Sequence, residues 1–279
     1  MENLKVGIQL YSVRDEMAKD MDATLAKVAG AGYTEVEFAG FFDKEAEEVK
    51  ELLAKYNLHA PSVHQKIDPY LDKTERNKLI KYLQTLGIKN SIIPWFDKAL
   101  LINPDTYKKF IAEVREVGKI LADNGIAQGY HNHDFEFETV DGEYILDRIY
   151  NDVPAEELLT ELDVCWVKYG GEDPVKYINK YANRMNIIHF KDFFAKGNGA
   201  TVYALIDENG NEIKAPKSRE DNEFKFMPLG QGLQDFASII EAAKKSNAHT
   251  VVYEKDQWYD GDPIEDAIAS RNFLKKMGL

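Results

Sequence analysis

Two histidines stand two residues apart at the end of an apolar run, His131 and His133 in GYHNHDFEF, residues 129–137. Residues two apart on a strand share a face, so one strand end offers two imidazoles to one small space. Three later apolar runs end on matching groups: Asp163 in ELDVCW, His189 in IIHFKD and Glu254 in VVYEKD. A polar side chain carried by an apolar strand into a closed interior must be hydrogen-bonded or ligated. Imidazole and carboxylate together suit a divalent transition metal, Mn, Co, Fe or Zn, better than Mg. Each residue alone reads more simply as a hydrogen-bonded strand end. His131, Asp163, His189 and Glu254 at the same relative place in successive runs make one divalent ion the expectation.

His133 lies one step further out than His131. Its imidazole suits proton transfer near neutral pH, so His133 and Glu254 are the candidate catalytic residues. The competing role for His133 is to orient a ligand or bind substrate. Glu161, two residues before Asp163, shares its face but lies deeper. It is expected to orient a ligand or meet the substrate, with direct ligation as the alternative.

His64 ends the run APSVH, and Lys66 follows two residues on. These two, with Lys191 and Asp192 after His189 and Lys255 beside Glu254, are placed to bind sugar hydroxyls or a phosphate. Charged loop residues are otherwise simply solvated. Trp95, Trp166 and Trp258 each follow a strand end, with Tyr11 and Phe41 nearby. Aromatic faces at such positions stack on sugars; ordinary core or rim packing competes. Cys165 is the single cysteine, which excludes an internal disulfide, and its apolar surroundings suit a buried bystander. There is no P-loop and no G-x-G-x-x-G, so no nucleotide is implied.

The elements that must position these groups alternate strictly. Short apolar runs at Val6–Leu10, Thr34–Phe38, Ala60–His64, Asn90–Ile93, Ala127–His131, Leu158–Leu162, Met185–Phe190 and Thr250–Glu254 read as strands. Amphipathic segments between them read as helices. Asp22 is the expected cap of ATLAKVAGAG, which stops at Gly32; Asp43 is the expected cap of a helix through Tyr56. Asn103-Pro104, Asp173-Pro174 and Asp262-Pro263 each mark a helix start. Eight strands alternating with helices predict an α/β chain folded as one (β/α)8 TIM barrel over residues 1–279, with active-site groups at the C-terminal strand ends. The interval from 189 to 254 is about twice the others. It predicts an insertion near 195–228, a β-hairpin about Asn209-Gly210, either a surface excursion or a cover for the site.

The composition excludes several classes. A net charge of −13 with no basic cluster argues against nucleic acid. No run approaches the roughly 18 apolar residues of a membrane span. No basic region or cleavage site precedes the first strand, so the cytoplasm is the expected location.

The segments GIQLYSVRDEM, GYTEVEFAG, YHNHDFEF, ELDVCWVKYGGEDP, RMNIIHFKD, PLGQG and VVYEKDQ together resemble the xylose isomerase-like barrel superfamily, in its sugar phosphate isomerase/epimerase branch, from about Lys5 to Leu274. That resemblance implies a Glu, Asp, His, Glu set holding one divalent ion. Asp163, His189 and Glu254 match three positions; His131 stands where the first Glu belongs. The family's two-base epimerases use both glutamates, so here His131 or His133 would have to take the missing part. The exchange also makes the site less anionic and favours a transition metal over Mg. The repair-endonuclease branch carries a further His where this chain has Trp166, so its three-zinc cluster is incomplete here. The leading expectation is a metal-dependent isomerase or epimerase that abstracts a proton next to the carbonyl of a sugar or keto-sugar. The runner-up is a dehydratase or lyase acting on an inosose or keto-glycoside by β-elimination; a non-catalytic sugar-binding barrel is the reading from another class. The expected partner is a small sugar, with a homodimer through the outer helices or the insertion as a further option.

Overall fold

The computed structural model describes residues 4–196, 205–206, 212–213, 219–259 and 261–279. The eight strands close into a barrel: β1 (Lys5–Gln9), β2 (Glu35–Phe38), β3 (His59–His64), β4 (Asn90–Ile93), β5 (Ala127–His131), β6 (Leu159–Asp163), β7 (Met185–Phe190) and β8 (Thr250–Tyr253). All neighbours pair parallel, and β1 meets β8 to complete the ring. Parallel strands covered on both faces are nearly all buried, as the fully buried EVEF of β2 and NSII of β4 are. The register shifts once between β2 and β3 and once between β6 and β7, on the strands that carry Glu37 and Glu161.

The principal outer helices are α1 (Met21–Ala31), α2 (Ala46–Lys55), α3 (Lys73–Leu86), α4 (Pro104–Ala122), α5 (Ile145–Asp152), α6 (Pro174–Lys180), α7 (Phe236–Lys245) and α8 (Pro263–Lys276). Shorter helical turns fill the connections. The apolar core lies between strands and helices: Leu25 and Val28 of α1, Val49 of α2, Leu83 of α3, and Phe110 and Val114 of α4 are all nearly inaccessible. Asn103 caps α4 through bonds from Asp105 N and Thr106 N, with Pro104 at the first position. α1 stops at Gly32, whose φ of +98° suits a residue without Cβ.

Two caps differ from the sequence reading. α1 is capped by Asp20, which accepts from Ala23 N; Asp22 instead takes Lys55 and the Tyr56 hydroxyl. α2 begins at Ala46 after Glu45 with no side-chain cap, and Asp43 occupies a left-handed turn at φ +56°. In both cases an acidic residue lay within three positions of the true start; tertiary partners took Asp22, and a left-handed turn took Asp43.

After β7 the chain leaves the barrel. Asp192–Phe194 pairs antiparallel with Lys225–Met227, and Leu205–Ile206 pairs with Glu212–Ile213. The Asn209-Gly210 turn lies outside the described residues. A small hairpin not anticipated from the sequence joins Thr139–Val140 to Glu143–Tyr144. Its turn, Asp141-Gly142, has both φ values positive, the usual geometry for an Asp-Gly hairpin.

Candidate metal centre and active site

The C-terminal ends of the strands meet in a polar cluster. The ligand-capable atoms of His131, Asp163, His189 and Glu254 all lie within 4.8 Å of one another. All four side chains are buried. Gly129 precedes His131 on the same face of β5, where a Cβ would come within 2.5 Å of Ile92 Cδ1; glycine there lets the strand pack close.

Two deeper carboxylates orient the two imidazoles. His131 Nδ1 is 3.2 Å from Glu161 Oε2. With that proton given to Glu161, Nε2 turns its lone pair toward Asp163 Oδ2 at 3.5 Å and Glu254 Oε2 at 3.9 Å. His189 Nε2 is 2.8 Å from Glu37 Oε1, and its Nδ1 is 3.1 Å from Glu254 Oε2. Hydrogen-bonding one ring nitrogen to a carboxylate fixes the tautomer and frees the other nitrogen as a ligand. A lone pair aimed at carboxylate oxygens repels them unless a cation is near; Lys191 Nζ lies against both oxygens, and a divalent ion would bind them together with the nitrogen itself. The residues therefore fit a divalent ion, which His131 Nε2, Asp163, His189 Nδ1 and Glu254 would hold.

Glu161 is not part of that set. Its Oε2 is the hub of a second group, 2.7 Å from His64 Nε2 and 3.2 Å from His189 Nε2 as well as from His131. Three imidazoles converge on one oxygen, so the carboxylate fills the centre of this deeper group. Glu37 is held by Gln9 Nε2 at 2.7 Å and by the Ser62 hydroxyl, with His64 Nε2 at 3.0 Å. Glu37, Gln9 and Ser62 were not singled out in the sequence. The signal was there: Glu37 interrupts an apolar strand near its end, but Glu35 in the same EVEF looks identical. Glu35 is instead paired with Lys5 at the opposite end of the barrel.

Lys191, two residues beyond His189, reaches the same place. Its Nζ lies 2.9 Å from Asp163 Oδ2, 2.7 Å from Glu254 Oε2 and 3.0 Å from Asp256 Oδ1. Asp256, two residues beyond Glu254, was also missed in the sequence. Asp163 divides its oxygens: Oδ1 accepts from Cys165 N and Trp166 N, leaving Oδ2 for the site. Asn132 Oδ1 accepts from Asp163 N at 3.0 Å and ties the end of β5 to the end of β6.

Charge states follow from these contacts. Burial alone would raise the Glu254 carboxyl, but Lys191 and His189 beside it hold it well below the usual range. Burial would lower His64, but Glu37 and Glu161 lift it to about 10. Burial and the neighbouring cations push His131 well below its ordinary value. His133 is pushed down to about 3 by burial and by Lys191. His131 and His133 are thus both neutral, with a free lone pair.

A cavity of about 550 Å3 opens over this cluster, lined among others by Tyr11, His64, Lys66, Trp95, His131, His133, Lys191, Glu254 and Asp256. Trp95 stands 48% exposed at its wall. Trp166 is buried behind His133, ring centroids 5.6 Å apart, and does not line the cavity. Trp258 also stays off the wall, under the Arg14 guanidinium, and Phe41 packs on Phe38 and Tyr82. Lys255 points away to Asp266. Asp192 accepts from Phe193 N, Gly230 N, Gly232 N and Gln234 N, so it anchors the following loop. Cys165 is buried.

A closed parallel barrel with a His, Asp, His, Glu centre at its C-terminal mouth defines the class. The chain belongs to the xylose isomerase-like TIM-barrel family, whose model matches residues 25–277. It is 22% identical to an inosose dehydratase of Clostridium beijerinckii, across 99% of this chain and 97% of that protein. A sugar phosphate isomerase/epimerase from Parabacteroides distasonis superposes with a TM-score of 0.74 at 22% identity, covering 99% of this chain and 94% of the other. A xylose isomerase-like barrel protein from Mycobacterium smegmatis in complex with magnesium superposes with a TM-score of 0.68 at 15% identity, covering 99% and 98%. No described helix is long and apolar enough to cross a membrane.

Proposed function

We propose that this protein is a divalent-metal-dependent lyase that eliminates a β-oxygen substituent from a keto-sugar or keto-cyclitol. The observation that carries the reading is the double commitment of His131. Its Nδ1 faces Glu161 and its Nε2 faces the candidate ligand oxygens, so it is not free to move a proton. Two-base epimerisation needs a group on each face of the substrate; elimination needs one base. His133, on the cavity wall, is placed to be that base.

A divalent ion held by His131, Asp163, His189 and Glu254 would polarise the substrate carbonyl, making the adjacent C–H acidic. His133 takes the α-proton. The electron pair of the broken C–H bond forms the C=C bond as the β C–O bond breaks, and the substituent leaves as water or an alcohol with the proton that His133 took. Lys191 lines the cavity and holds Glu254 and Asp163 in place. Lys66 and Trp95 offer a donor and a flat apolar face to the outer part of a sugar. The full-length similarity to an inosose dehydratase supports this order of preference.

Isomerisation or epimerisation begins with the same proton abstraction and is the second reading, supported by the family's fold. It would require Glu254 to act as the second acid or base, although Lys191 and His189 already engage it. The deciding assay incubates Mn-loaded protein in D2O with an inosose, a methyl 3-keto-glucoside and a ketohexose. Elimination predicts loss of water or methanol by mass spectrometry. Uptake with no loss and a new epimer would establish the second reading instead. Neither loss nor uptake with any probe, in protein shown to hold the ion, would refute both.

A further inference from the structure

His133 is held without a polar anchor on its inner nitrogen. Its Nδ1 is buried and has no hydrogen-bond partner among the described residues. The backbone beneath it is fixed, because His133 N donates to Glu136 Oε2 at 2.8 Å. The orientation of the ring therefore depends on what packs against it. Phe135 stacks on one side, with centroids 5.9 Å apart and planes 10° apart. Trp166 packs at 5.6 Å with planes 34° apart, and the His131 ring meets the His133 ring edge-on at 5.2 Å.

Trp166 is itself braced from the excursion after β7. Phe224 stacks on it at 5.5 Å and 9°, and the Arg219 guanidinium lies 4.3 Å over its ring. The same guanidinium reaches back to the loop that carries His133, with Nη2 2.7 Å from Asp134 Oδ1. One side chain from a distant segment thus holds both the packing partner of the imidazole and its chain neighbour. An Arg that stacks on an aromatic face while paired to a carboxylate is confined in two directions.

We propose that Arg219 is a positioning residue for His133, fixing the imidazole by pressing Trp166 against it while tethering Asp134. The proposal rests on the reading of His133 as the base, and it explains why a chain with a single base would keep a long excursion beside it. It assigns the segment Arg219–Phe226 a part in the reaction without contact with substrate. Misplacement of a reacting group by about 1 Å can cost on the order of a hundredfold in rate, so the brace has catalytic consequence.

The test needs no substrate. Zn-loaded full-length protein with 13C-labelled histidine gives one imidazole Cε1–H resonance per histidine, and the peak lost in His133→Gln identifies His133. Ring currents from Phe135 and Trp166 displace that resonance. Arg219→Ala is expected to move and broaden it while the other five peaks and the Tm stay in place. Arg219→Lys keeps the charge for Asp134 and should return the peak most of the way. A His133 peak unmoved in Arg219→Ala overturns the proposal. So does a general shift of all histidine peaks with a fall in Tm, which marks a merely structural role. Elimination surviving undiminished in His133→Ala would instead sink the base assignment while leaving the ring geometry as measured.

Discussion

Glu37 Oε1 lies 2.8 Å from His189 Nε2 across 152 residues of chain. That contact decides which nitrogen of His189 can face the Asp163–Glu254 side. Glu37→Gln retains the shape but inverts the hydrogen-bond demand on one atom. Loss of such an orienting partner typically lowers metal affinity 10- to 100-fold. Titration calorimetry with Mn or Zn should show a drop of that order, and an unchanged affinity would remove Glu37 from the centre.

Metal removal should be visible as stability. An ion that binds only the folded state stabilises by about 2.7 kcal/mol at a hundred times its Kd. Chelator should therefore lower the Tm, and Mn should restore it. Asp163→Asn keeps an oxygen for Cys165 N and Trp166 N but loses the anionic ligand. Its Tm without metal should fall, because Lys191 loses one of its carboxylate partners, and the Mn-induced rise should disappear. A full Mn response in this variant would contradict ligation by Asp163.

Lys191 neutralises Asp163, Glu254 and Asp256 at once. Breaking a buried ion pair by removing one partner costs about 3–5 kcal/mol. Lys191→Met should lose on that order in chelator. A divalent ion beside the same oxygens compensates part of the loss, so the deficit should shrink in Mn. Chemical denaturation with and without Mn measures both; equal deficits would show that ion and ammonium do not share those carboxylates.

Burial raises the Glu136 carboxyl to about 8, against the bonds it accepts from Tyr130 and His133 N. A carboxyl raised on folding keeps its proton in the native state while the unfolded chain has lost it. Its favourable contribution is complete below the ordinary carboxylate value near 4.5 and disappears as pH rises through 8. Glu136→Gln should flatten the fall of Tm between those limits and gain relative to wild type at pH 9. Parallel pH curves for the two proteins would refute the raised carboxyl.

The fold was legible because its signals are local. β4, β5 and β7 begin and end where the apolar runs do, since a run of buried residues bounded by Gly, Asn or Pro specifies both. Asn103-Pro104, Asp173-Pro174 and Asp262-Pro263 are starts that need no tertiary partner. Asp22 is expected to cap α1, but Asp20 takes that place and Asp22 turns to Lys55 and Tyr56. The aromatic residues were the least legible part of the site. Trp95 reaches the cavity while Trp166 and Trp258 do not, and nothing in a ring's chain position says which way it turns.

The sequence by itself determined that His131, Asp163, His189 and Glu254 end successive strands, because two-residue periodicity and strand length are written along the chain. Only the tertiary structure decided how those groups are used. Closing the barrel brings β2 and β3 round to β7, setting Glu37 and His64 beside His189. It is the hydrogen bonds made across the closed ring, which no local pattern encodes, that orient His64, His131 and His189, while His133 is held by packing.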